Sequence, residues 1–344
     1  MTVNGGSITS TSSDLFFVTG AKAEITLANG ATVHSGNGVI LDTLASGDTT
    51  FTANAETLTG NMINSAGSTG SLYLLNHTAL TGMIDPYNVT VDGTSTWNLT
   101  TSSTVNNLQV YNGAQINFLL PVSNTFKVLT VLGDLTGTGA TFNMTTDLHD
   151  LTGDLIVVNG KSAGLYALSI ADFSQGNANP TAALKVVQTT DGVATFTLKS
   201  GVVEAGVYDY RLTRGTGASN IPDPDDWYLV RADQPITETP ASTNVGPASV
   251  PVSRINALSH TSNAIIGLYS AATMAWYDDL DTLIQRMGEL RLADSFGPGE
   301  TEVAPGVDVG QETSSSKEST ADHISPVRPN NNGSWLRAIG QTDS

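Results

Sequence analysis

Asp147, His149, Asp150 and Asp154 place three carboxylates and one imidazole within eight residues. Such a set could hold a cation or move a proton, because hard oxygen ligands and a neutral imidazole are what those chemistries require. Short acidic side chains between strands have a plainer use as acceptors for the free N–H groups of turns. That use is expected here, and no metal ligand is assigned. His34 and His77 stand alone, with no partner at metal spacing. Asp223, Asp225 and Asp226 sit in a Pro- and Asp-rich run that reads as a solvated loop. The chain has no Gly-x-Ser-x-Gly, no phosphate-binding glycine loop and no His-Glu-x-x-His. It has no cysteine, so disulfides and thiolate metal sites are excluded. No catalytic, cofactor-binding or metal residue is therefore assigned. The chain is read as a non-enzyme that needs no cofactor.

Charge narrows the functions further. The 344 residues are 39% hydrophobic but only 13% charged, with a net charge of -18. No Arg precedes Arg211, and Lys22 and Lys127 are the only bases before Lys161. Nucleic acid and anionic membranes are thus excluded as partners. A polysaccharide-active β-helix enzyme, of the lyase or tailspike type, needs carboxylates beside Arg or Lys in one groove. That rival lacks its bases, and a purely structural surface-layer protein is the other alternative. Met1-Thr-Val-Asn-Gly-Gly-Ser has no basic or apolar region of a signal peptide. A removed signal or a fragment is expected.

The elements that must position these residues are mostly short strands. Glu24-Ile-Thr-Leu, Ser71-Leu-Tyr-Leu-Leu, Thr96-Trp-Asn-Leu and Gln115-Ile-Asn-Phe alternate apolar with small polar residues, the period of a half-buried strand. Asn29-Gly30, Asp92-Gly93 and Asn112-Gly113 punctuate them as turns. Leu58-Thr-Gly-Asn-Met and Leu80-Thr-Gly-Met-Ile begin 22 positions apart. Asn88-Val-Thr-Val, Leu108-Gln-Val and Leu129-Thr-Val follow at similar steps. A period of about 20 residues with up to three strands per repeat predicts a solenoid. From Asp154 to Val230 the strands carry larger side chains, including Tyr166, Tyr208, Tyr210, Trp227 and Tyr228.

After Val230 the texture changes. Pro235, Pro240, Pro247 and Pro251 mark a linker. Ile255, Leu258, Ile265, Tyr269, Trp276, Leu283, Met287 and Leu290 then recur at helical steps and predict one long helix with an apolar seam. Gly297-Pro298 stops it, an acidic Ser- and Pro-rich stretch follows, and Ser334-Trp-Leu-Arg-Ala-Ile-Gly reads as a strand.

Asp154 to Val158, Val187-Gln188-Thr189, Tyr208 to Leu212 and Trp227 to Leu229 come in an order that resembles the end of autotransporter passengers of the pertactin/AIDA type. Asn88 to Phe118 resembles a phrase found upstream of that end, and Gly215 to Asp226 departs from the pattern as an insertion. The resemblance implies an all-β fold: a right-handed parallel β-helix with a C-terminal β cap, then a linker and one long α-helix. It implies the division 1–153 passenger solenoid, 154–232 autochaperone-like cap, 233–252 linker, 253–292 pore helix, 293–333 acidic linker and 334–344 first strand of a β-barrel. It implies export through the periplasm and outer membrane to the bacterial cell surface. The expected function is that of an adhesin or virulence-type surface protein whose cap nucleates folding. The expected partners are its own downstream outer-membrane barrel and a host-cell or matrix receptor or glycan, with the chain itself a monomer. Asn330-Asn331-Asn332 contains Asn pairs outside the expected helix, so intra-pore cleavage is not carried over.

Overall fold

The computed structural model describes residues 1–174, 176, 183–233 and 259–295. Most of the Pro-rich linker, positions 253–258 of the expected helix, the acidic stretch from 296 and the expected strand 334–344 lie outside the described residues.

Residues 1–232 wind as a parallel β-solenoid. Each coil contributes one strand to each of three faces, and strands stack on their equivalents in the coils before and after. The first face holds seven strands, from Thr2–Asn4 to Leu135–Gly137. The second carries an unbroken stack from Thr57–Thr59 to Thr195–Leu198. The third runs from Phe16–Thr19 through Ile84–Asp85, and again from Ser103–Val105 into the C-terminal end.

The expected repeat is real, but its length varies. Leu58 pairs with Leu80, as their matching tripeptides anticipate. Ser71 pairs with Asn88, Leu108 with Leu135 and Ile156 with Val187, so coils advance by 17 to 31 residues. Leu129-Thr-Val does not continue the line of Val89 and Leu108. It pairs with Ser103 on the third face, and Leu135 takes the place on the first. The corners absorb the difference, since loop length costs little free energy.

Alternation within each strand sends every second side chain inward. Ile25, Phe51, Leu72, Val89, Leu108 and Leu135 form one buried ladder. Leu58, Leu80, Trp97, Ile116, Phe142 and Leu168 form another. Trp97 satisfies its indole by donating to the Gly82 carbonyl at 3.0 Å. A buried polar knot interrupts the apolar interior, where Thr43 Oγ1 meets Thr49 Oγ1 at 2.9 Å and the Tyr87 hydroxyl at 2.8 Å. Burial pushes that hydroxyl well above the usual tyrosine range, despite the bond from Thr43. Outside, Asn98, Asn117 and Asn143 pass amide hydrogen bonds from coil to coil at 2.7 and 2.6 Å.

The corner after the first face repeats a left-handed residue at Asn29, Ala55 and Asn76, with φ of 58°, 59° and 52°. Asn tolerates this conformation, and a single Ala costs about a kcal/mol. Gly137 (φ 124°) is a stricter requirement, because a Cβ there would lie 1.8 Å from the Val110 carbonyl oxygen.

The described helix spans His260–Ser295, beginning later than position 253. Ser259 caps it, accepting the Ser262 N–H through Oγ at 3.1 Å. Ile265, Leu268, Tyr269, Trp276 and Tyr277 are exposed.

Candidate functional site

The solenoid ends by changing the direction of its pairing. On the third face Val128–Val131, Leu155–Val158 and Leu184–Thr189 stack in parallel. Trp227–Arg231 then pairs antiparallel with Leu184–Thr189, and Tyr208–Arg214 pairs antiparallel with Trp227–Arg231. Val203–Ala205 closes the sheet as its outermost strand. Among the described residues the last strand in sequence is therefore an interior strand, bonded on both sides. A parallel strand would offer its free edge to another coil. This antiparallel end satisfies the edge from within the chain.

Aromatic rings cover the interior at this end. Phe142 to Tyr166, Tyr166 to Phe196 and Phe196 to Trp227 have centroids 5.8, 5.3 and 5.9 Å apart. Arg214 lies over Trp227, 5.8 Å from its ring centroid. The apolar column thus finishes under a cation rather than open to water. Tyr210 is fully buried, and burial pushes its hydroxyl up to about 12.

Asp226 holds the turn into the last strand. It is 1% exposed. Its Oδ1 accepts the Thr189 N–H at 3.0 Å and its Oδ2 meets Lys185 Nζ at 2.7 Å. Burial pulls Lys185 down, but the hydrogen bond and charge of Asp226 outweigh it and keep the ammonium above its usual range. The expectation of a solvated 223–226 loop fails here. Asp223 is exposed, Asp225 is half-buried against Arg214, and Asp226 is core. The preceding insertion also folds, since Ile221 packs with Tyr228 and Val230 in a small cluster of its own.

The same device recurs along the chain. Asp154, fully buried, accepts the Lys127 N–H at 2.7 Å and the Thr145 N–H at 2.8 Å. Asp134 accepts the Lys161 N–H at 2.9 Å, and Asp191 accepts the Ser162 N–H at 2.9 Å. Glu56 accepts the Gly30 and Ala31 N–H groups, each at 3.1 Å. Each carboxylate fastens one coil to another through an otherwise unpaired corner amide. Burial pushes Asp191 up, but the hydrogen bonds from Ser162 and Val193 together hold it below the usual carboxylate range. Asp191 and Asp226 are two cases whose type, without their partners, says nothing in sequence.

The structure does not bring the first-considered residues together as a ligand set. Asp147 Oδ1 accepts the His149 and Asp150 N–H groups, at 3.0 and 3.1 Å, as a turn cap. Asp154 faces its backbone partners instead. His34 and His77 are exposed on different coils. Among the described residues no group of three or more His, Cys, Asp or Glu is placed to hold a metal ion.

Residues 105–230, which contain this end, match the family model described as Pertactin. The chain is 32% identical over 221 residues, 62% of its length, to the autotransporter adhesin/invasin TibA of Escherichia coli O78:H11, and covers 18% of that protein. It is 29% identical over 229 residues, 59% of its length, to the pertactin autotransporter of Bordetella bronchiseptica, covering 24% of it. A crystal structure of the Haemophilus influenzae Hap adhesin aligns with 65% of this chain and 24% of that one, at 23% identity and a TM-score of 0.44. The chain therefore spans about a fifth of the length of the curated relatives it matches.

Proposed function

We propose that this chain, an autotransporter passenger segment of the pertactin type, acts as an adhesin-type scaffold whose C-terminal end nucleates folding after export. Passengers of this class reach the bacterial cell surface through the outer membrane, and this one is placed there with them. The nucleating role rests on one observation: the last described strand, Trp227–Arg231, is bonded on both sides and pinned by buried Asp226. A single coil buries too little to stand alone and needs a formed neighbour. The terminal end supplies one, offering the edges of Leu155–Val158 and Leu165–Asp172 for the next coil to pair with.

In this reading residues 1–153 form the passenger solenoid, 154–232 the nucleating cap and 253–292 a helix inside the chain's own downstream barrel, of which 334–344 is the first strand. The bound target is a host-cell or matrix receptor or a glycan, reached by a monomer without catalysis. The adhesin role draws on the likeness to TibA, and the non-enzyme reading on that name and the scarcity of bases on the coils.

Hydrogen exchange on the full chain tests the nucleus. Amides of Leu184–Thr189 and Trp227–Arg231 should exchange slowest, and coils nearer Met1 faster. Uniform protection, or slower exchange toward Met1, would defeat the proposal. Loss of cell adhesion on deleting 1–153 tests the scaffold role separately.

A further inference from the structure

The cap's outermost hairpin also holds the start of the helix. Ser259, at 0% exposure, is as buried as a core leucine. Its N–H donates to the Val207 carbonyl at 2.9 Å, and its Oγ lies 3.2 Å from the Gly206 carbonyl. The same Oγ accepts the Ser262 N–H at 3.1 Å, and the Ser259 carbonyl accepts the Asn263 N–H at 2.9 Å. One turn on, Thr261 Oγ1 meets Glu204 Oε2 at 2.9 Å. Six hydrogen bonds thus meet at Ser259 and Thr261, the sixth between the Ser259 and Ser262 hydroxyls at 2.9 Å. Two of them cross to the turn between Val203–Ala205 and Tyr208–Arg214, and a third reaches Glu204 in the strand before it.

Two properties of the partners make this more than contact. Val203–Ala205 is the outermost strand of its sheet, so the carbonyls that follow it at Gly206 and Val207 have no further strand to serve. Ser259 serves them. A helix, for its part, must fix several residues before its first bond forms, and that nucleus is costly. Here the N-cap residue is already held in place by the cap.

We infer that the Glu204–Val207 turn is the docking site for Ser259 and Thr261, so that the helix is nucleated by the folded cap and winds outward from it. The inference rests on the cap reading above but can fail without it. The chain then acquires helix in a set order: the antiparallel end closes first, and the first helical turn forms on it.

The chain has no cysteine, so an introduced pair reports without background. In the full chain, Val207→Cys with Ser259→Cys should form a disulfide more readily than a distant pair, because the 2.9 Å bond between their backbones holds the two residues side by side. Val207→Cys with Ala275→Cys is the distant control and should not. Ser259→Ala, in the otherwise unchanged chain, should speed exchange of the Ser262–Tyr269 amides about tenfold, the usual scale of a lost N-cap. Exchange in Trp227–Arg231 should stay unchanged. Glu204→Ala should also speed helix-start exchange, although it alters no helix residue, which separates docking from simple capping. No disulfide above the control, or a helix start indifferent to Glu204→Ala, would overturn the inference. If Trp227–Arg231 itself exchanges freely in the unaltered chain, the cap reading fails and the docking site goes with it.

Discussion

Removing the Asp226 carboxylate should loosen the terminal end more than any surface change. Asp226→Ala deletes the bond to the Thr189 N–H at 3.0 Å and the pair with Lys185 at 2.7 Å. A charge-assisted hydrogen bond to a buried amide contributes ~1.5–3 kcal/mol. Breaking a fully buried ion pair would cost ~3–5 kcal/mol. Lys185 is 36% exposed, however, so its ammonium turns to water and much of that second cost disappears. The expected loss is about 3 kcal/mol. Asp226→Asn keeps an acceptor toward Thr189 and should lose only about 1 to 2 kcal/mol. Urea unfolding followed by Trp fluorescence reads both, with Lys185→Met added to complete a double-mutant cycle. A loss under about 1 kcal/mol for Asp226→Ala, or no coupling to Lys185, would refute the claim that this carboxylate pins the last strand.

Trp227→Ala should destabilise the chain by about 3 kcal/mol or more, since the ring is 9% exposed and meets Phe196 edge to face. Its Nε1 has no hydrogen-bond partner, so Trp227→Phe should recover most of the loss in the same urea experiment. Gly137→Ala should prevent coil formation at 25 °C or cost upward of about 3 kcal/mol, because both φ and the Val110 carbonyl oppose a Cβ; circular dichroism against the unaltered chain decides. The folded Asp191 carboxyl titrates below its ordinary value, so its contribution is full above about pH 4 and is lost as pH falls through the lower, folded value. Asp191→Asn should flatten that acid limb in a series of thermal melts. In a full-length protein whose helix lies inside a barrel, cysteines placed at Ala264 and Ala275 should resist a bulky membrane-impermeant thiol reagent on intact cells, and free labelling at both would exclude that location.

Much of the solenoid was legible because its physics is local. Alternation at Ser71-Leu-Tyr-Leu-Leu gives the inward face directly, and the repeated Leu-Thr-Gly at Leu58 and Leu80 gives true neighbours. Register beyond that was not legible. Leu129-Thr-Val looked like the successor of Leu108-Gln-Val, but a longer corner moved it to another face, and corner length leaves little trace in strand pattern. The antiparallel end was legible as a run of large side chains, whereas Asp226 was not. An aspartate among Pro and Asp reads as solvent-facing loop, and only the distant Thr189 amide and Lys185 make it a core residue. Asp147 follows the local rule, since its partners are two and three residues away, whereas Asp154 reaches the Lys127 amide a coil away.

The placement of the last strand has a mechanical consequence. A strand peeled from a single neighbour opens its hydrogen bonds a few at a time, as a zipper. Trp227–Arg231 lies between Leu184–Thr189 and Tyr208–Arg214, so tension entering from its C-terminal side loads both ladders together, in shear. Such an end is anisotropic under load: weak and stepwise when peeled, strong and abrupt when sheared.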